Sequence, residues 1–206
     1  MFEKDTYKTI TKPSKEILFK DKNSKFFGYA FPVTTEIEVK KYLDYLKKEH
    51  YNARHWCYAY QIGKKEPHIS FRVNDDGEPN NSAGMPIYGQ IQSYEVTNIL
   101  IVVVRYFGGT KLGVSGLINA YKTAANLSLE QSRIVKKTIN VNYLITFDYK
   151  NMNKVMRILK EKNLKIINQE LNLDCKITIS VRLKDSKVIF EIFKNLFEIK
   201  IEALND

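Results

Sequence analysis

All nine glycines and all five prolines of this 206-residue chain lie at or before Gly116. Gly and Pro punctuate turns and strained backbone, so the two ends of the chain cannot be copies of one unit. The first part is rich in tight turns and breaks, whereas the rest must be built from regular elements joined by ordinary polar loops. This shift in composition predicts two domains, 1–137 and 138–206, with the boundary near Lys137.

In the first part, strands are expected at about 16–20 and 25–32, followed by a helix over 36–49. Thr35 and Glu38 have capping-box spacing, and Val39, Tyr42, Leu43 and Leu46 recur at the helical interval. Further strands are expected at 55–62 and 69–73, and then "NDDGEPNNSAG" is turn chemistry throughout. Pro86 suits the first turn of a helix that places Ile87, Ile91 and Tyr94 on one face. Residues 97–105 are apolar on both faces and so read as a central strand. A helix over 114–131 follows the glycines.

The second part reads as strand 139–147, helix 151–162, strands 164–171 and 175–183, helix 186–197 and strand 199–204. The helix over 151–162 should bury Met152, Val155, Met156 and Leu159. The order βαββαβ is that of a ferredoxin-like domain. Its open sheet face would present Lys176, Thr178, Ser180, Arg182 and Lys184. An RNA-recognition sheet of this topology would show aromatics there, and this one shows polar groups.

Charge and length narrow the function. The longest apolar run, Ile99 to Val104, is six residues, against the roughly 20 that a membrane-crossing helix needs, and the N-terminus has no apolar signal region. A cytoplasmic protein without a membrane partner is expected. Cys57 and Cys175 are too few and too far apart for a disulfide framework, and read as free thiols. The net charge is +10, and residues 1 to 138 carry 21 basic against 14 acidic side chains. Such a surplus attracts polyanions, although scattered surface lysines would give the same total.

Three constellations could carry chemistry. "VVVRYFGGTKLGVSGLINAY", residues 102–121, passes from strand through Gly108, Gly109, Gly113 and Gly116 into a helix. A glycine turn at a helix N-terminus offers free N–H groups to an anion, and Arg105 and Lys111 would add cations. The spacing fits neither a P-loop nor a dinucleotide fingerprint, and the glycines equally permit positive φ and close packing. In "ARHWCYAY", Arg54 precedes a strand on which His55 and Cys57 share a face. Two potential ligands fall short of a zinc site, and Cys57 as a nucleophile would lack a third orienting group. In the acidic turn, Asp75, Asp76 and Glu78 could hold Mg²⁺ or do acid/base work, or simply form the turn. His50 and His68 read as surface residues.

Taken together and in this order, "ARHWCYAY", "DDGEPNNSAGMPIYGQI" and "VVVRYFGGTKLGVSGLINAY" resemble the IMPACT family, specifically its bacterial YigZ branch. The resemblance implies an α+β protein of two domains, the first with the fold of ribosomal protein S5 domain 2, the second ferredoxin-like and similar to domains of elongation factor G. Eukaryotic members are translational regulators that act through an additional N-terminal domain with no counterpart here, while the bacterial branch is linked to nucleic-acid binding. Asn80 and Asn81 stand where the family commonly has small residues, and Lys111 where many members are apolar.

The resulting expectation is a non-enzymatic translation-associated regulator that needs no cofactor. It would bind RNA or ribosomes through Arg54, His55, Arg105, Lys111 and the turn from Gly108 to Gly116. The alternatives are a phosphate-ester enzyme using Asp76 and Glu78 in the same cleft, and an adaptor whose partner is another protein.

Overall fold

The computed structural model describes residues 5–65 and 67–204. It divides into two compact units, Tyr7–Lys137 and Thr138–Asp206, the latter joined by the N-terminal residues up to Thr6. The chain is a mixed α/β protein with several sheets.

Along the first unit run β1 (Thr6–Ile10), β2 (Ile17–Asp21), β3 (Ser24–Pro32), α1 (Glu36–Glu49), β4 (His55–Ile62), β5 (Ser70–Asn74), α2 (Gly84–Ser93), β6 (Ile99–Tyr106), α3 (Gly113–Glu130) and β7 (Ile134–Thr138). Five strands form an antiparallel sheet in the order β2-β3-β6-β4-β5. The central strand is β6, whose residues Ile99 to Val104 are wholly buried. Alternation on a strand sends successive side chains to opposite faces. Ile99, Ile101 and Val103 accordingly pack with Ile87 and Ile91 of α2 and Leu117 and Tyr121 of α3. Leu100, Val102 and Val104 pack with Val39 and Leu46 of α1. Burial of each such side chain contributes about 1.5–3 kcal/mol, so this one strand anchors a helical layer on either side.

The ends of α1 follow their sequence signals. Thr35 Oγ1 accepts from Glu38 N, and the Glu38 carboxylate accepts from Thr35 N, closing a capping box. A separate two-stranded sheet, β1 with β7, has no counterpart in the sequence reading. Both strands are five residues long and half polar, so neither shows a pattern that local periodicity can detect.

The second unit contains β8 (Asn140–Asp148), a 3₁₀ turn (Tyr149–Asn151), α4 (Met152–Glu161), β9 (Lys165–Leu171), β10 (Asp174–Arg182), α5 (Leu183–Lys194) and β11 (Ile199–Leu204). Its antiparallel sheet has the order β11-β8-β10-β9. Tyr143, Ile145, Phe147, Cys175, Ile177, Ile179 and Val181 form one face of the core, closed by Val155, Ile158, Leu159, Ile189 and Phe193. Two expectations are corrected here. Met156 lies off the buried stripe, its place taken by Ile158. Leu183, which continued the alternation of a strand, instead begins α5 after its N–H bonds Ile139 O.

Arg182 stays 40% exposed on the sheet but is a paired cation. Its Nε lies 2.5 Å from Asp5 Oδ2, and that hydrogen bond is the main cause holding the Asp5 carboxyl below the usual carboxylate range.

Candidate functional site

The site begins with strand register. On β6, Arg105 stands opposite Phe26 of β3 and His55 of β4, and side chains paired across antiparallel strands share a face. That face is the one covered by α2 and α3, so the register carries Arg105 inward. Its residue exposure is 5%, and its guanidinium lies between the rings of Phe26 and Phe107, at 5.5 and 5.6 Å.

A guanidinium cannot shed its charge, so burial demands a counter-ion. Glu78 from the acidic turn supplies it, with Oε1 at 2.6 Å from Arg105 Nη1 and both side chains almost fully covered. The same oxygen accepts the hydroxyl of Tyr121 at 2.8 Å. Tyr121 belongs to α3 and is wholly buried. Burial, the largest cause, and the nearby Cys57 and Glu78 push its phenol far above the ordinary value, so it remains a donor. Glu78 is therefore the point at which the β6 strand, the acidic turn and the helix after the glycines meet.

The rest of the turn is tied to β4 and α2. Asp75 Oδ1 accepts from Ala83 N and Gly84 N at 2.9 and 2.8 Å, at the otherwise uncapped start of α2, and Oδ2 accepts from Asn81 N. Asp76 Oδ2 accepts from Trp56 N, and the Asp76 carbonyl accepts from His55 Nδ1, both at 2.8 Å. Because a carbonyl only accepts, the neutral His55 ring carries its proton on Nδ1. Its Nε2 then lies 3.9 Å from Glu78 Oε1, too far for a hydrogen bond. Cys57 donates its thiol to Asp75 O at 2.9 Å, and burial pushes that thiol far above its ordinary pKa, which rules against a thiolate nucleophile.

The glycine turn is explained by packing. A Cβ on Gly108 would stand 2.0 Å from the carbonyl carbon of Asn23 in the β2–β3 hairpin, and Gly108 N bonds Ser24 Oγ at 3.2 Å. Gly109 and Gly113 have φ of +88° and +75°, in the region that disfavours a side chain. Gly116 sits in the first turn of α3 against Leu112. Lys111 and Arg54 are exposed.

The structure thus brings Arg105, Glu78, His55 and Asp76 together and changes what they can do. Arg105 is an internal structural cation rather than a fork held out to phosphate, and its Nε is the buried side-chain atom that lacks a partner among the described residues. Glu78 Oε1 is taken up by Arg105 and Tyr121, and Asp76 Oδ2 by Trp56 N. Among the described residues, no cluster of three or more His, Cys, Asp or Glu side chains could hold a metal ion. The sequence reading missed Tyr121 and Ser24. Tyr121 shares the inner face of α3 with Leu117 and Ala124, and an inward-facing tyrosine on such a stripe needs a partner for its hydroxyl.

His50 also departs from its expected surface place. Its Nε2 lies 2.6 Å from Tyr29 Oη and its Nδ1 3.0 Å from Tyr106 Oη, while Tyr29 donates to the Glu16 carboxylate. Burial holds the His50 pKa below its ordinary value.

These contacts join segments between Glu16 and Tyr121, and the model of the Impact N-terminal domain matches residues 22–129, just over half of the chain. The chain belongs to the IMPACT family. It is 35% identical over 153 residues to the IMPACT family member YvyE of Bacillus subtilis, covering 73% of this chain and 70% of that protein. It is 34% identical over 132 residues to the family member YigZ of Escherichia coli, covering 64% and 65% respectively. A crystal structure described as that of a hypothetical protein superposes with a TM-score of 0.72 over 98% of both chains. Its identity is 24%, so it shows a shared fold. No helix among the described residues is long and apolar enough to cross a membrane.

Proposed function

We propose that this IMPACT-family chain is a cytoplasmic, non-enzymatic protein of the translation apparatus that contacts RNA or ribosomes through phosphate groups. The observation that carries this reading is a cluster of exposed cations at one end of the five-stranded sheet. Lys20, Lys22 and Lys25 belong to the β2–β3 hairpin, Arg54 directly precedes β4, and Lys111 lies in the glycine turn. Gly108, seated on Asn23, brings the hairpin and the glycine turn together. Register adds Lys25 opposite Tyr106, the last residue of β6. These five side chains replace the buried Arg105 as the binding edge.

Two further features support the reading. The βαββαβ order and β11-β8-β10-β9 arrangement agree with a ferredoxin-like second domain over 138–206, of the kind found in elongation factor G. An S5 domain 2-like first domain over 1–137 is the family's expectation, and both types belong to translation. Against the phosphate-ester enzyme stands the engagement of Glu78 Oε1 with Arg105 and Tyr121, and of Asp76 Oδ2 with Trp56 N, inside the fold.

Each cation that neutralises a phosphate releases a counter-ion, and the logarithm of affinity falls with log salt by about 0.7–0.9 per contact. Contacts from all five predict a slope of about −3.5 to −4.5, or roughly a 100- to 500-fold loss across a fourfold rise in salt. Titration of rRNA fragments or tRNA by anisotropy at several salt concentrations measures this. Binding that ignores salt, or no binding, contradicts the proposal.

A further inference from the structure

The cationic end of the first unit's sheet is also aromatic. Tyr51, between α1 and β4, is 76% exposed, and Phe107, directly after β6, is 44% exposed. Tyr106 is half-buried, its hydroxyl held by His50 Nδ1 at 3.0 Å and its ring edge-on to Phe27. Tyr51 directly follows His50, the residue whose ring bonds the Tyr106 hydroxyl, and adds to the rise that burial causes in the Tyr106 hydroxyl pKa. Single exposed aromatics are ordinary on a protein surface. Three at one sheet end, set among unburied Lys25, Arg54 and Lys111, are a combination with a specific use.

We propose that this end of the sheet binds single-stranded RNA, with Tyr51, Tyr106 and Phe107 stacking unpaired bases while Lys25, Arg54 and Lys111 track the phosphates. The inference rests on the RNA-binding reading above and narrows it to one class of RNA. A ring presented at a surface can stack only on a base whose face is free, and in a duplex those faces are already covered. Phosphate-tracking cations interleaved with stacking platforms are the two parts that binding of single strands requires. Tyr106 is a pre-set platform, because His50 and Phe27 fix its ring before any ligand arrives. Phe107 is seated against the Arg105 guanidinium, which fixes one face and leaves the other for a base. The open face of the second unit's sheet, with Lys176, Thr178 and Ser180, offers no such ring.

The test compares three fluorescent ligands of equal length and charge per strand: a single-stranded pyrimidine RNA, the same RNA annealed to its complement, and an abasic ribose-phosphate chain. The wild-type chain should bind the single strand about tenfold or more tightly than the abasic chain, from the stacking energy of even one base. The Tyr51→Ala/Phe107→Ala variant should lose most of that preference, retaining only the share that Tyr106 supplies, and keep its salt dependence. Tyr51→Phe, which retains the ring, should bind as wild type does. Equal binding of the single-stranded and abasic chains, tighter binding of the duplex, or a double variant with its preference intact overturns the stacking proposal and leaves phosphate binding standing. Failure to bind any of the three overturns both.

Discussion

Replacing Glu78 by alanine is expected to destabilise the first unit by about 3–5 kcal/mol, the range for removing one partner of a buried ion pair. The substitution leaves the Arg105 guanidinium 5% exposed with no counter-charge, and strips the Tyr121 hydroxyl of its acceptor. In a unit of this size the loss corresponds to a fall in the melting midpoint of roughly 10–20 °C. The partner variant Glu78→Leu/Arg105→Met should lose much less, because it leaves no buried charge to compensate. Thermal and urea melts of both variants measure the difference. If Glu78→Ala melts with the wild type, the pair does not hold the three segments together.

Gly108→Ala should cost about 3 kcal/mol or more, at the upper end of overpacking, because the obstruction is backbone and cannot rotate away. The new Cβ would meet Asn23 C at 2.0 Å, Asn23 O at 2.3 Å and Ser24 N at 2.3 Å. Gly109→Ala is the control. Its neighbourhood is open but its φ is +88°, so it should lose only the roughly 1–2 kcal/mol of a left-handed non-glycine residue. Urea midpoints with an unchanged m-value separate the two. A larger loss at Gly109 than at Gly108 would mean that the turn does not rest on the hairpin.

The helices and most strands were legible because their signals are local. The capping box at Thr35 and Glu38, the two-sided apolar run of β6 and the alternation of β10 each lie within a few residues, and α1 and β4 take the expected bounds. The pairing of β1 with β7 was not legible, since its partners lie more than a hundred residues apart and neither has a distinctive pattern. Arg105 shows the same limit at the site. Its neighbours in sequence, valines on one side and Tyr106 and Phe107 before the glycines on the other, fit an exposed anion site as well as a buried ion pair. What decides between them is the register that sets Arg105 beside Phe26 and His55 under α2 and α3, together with Glu78 arriving from 27 residues away. Conversely, the clustering of the three motif blocks follows from the fold alone. Sequence order puts them in one family but does not say that one carboxylate oxygen joins two of them.

On the proposed function, RNA meets the outer cations of the sheet end and not the buried arginine. The most direct measurement is the salt slope of RNA binding for Arg54→Met beside that of the folded Glu78→Leu/Arg105→Met variant. The Arg54 variant should reduce the slope by about 0.7–0.9, the share of one phosphate contact, and the double variant should leave it unchanged. A reduced slope in the double variant, with Arg54→Met like wild type, would contradict the proposed function.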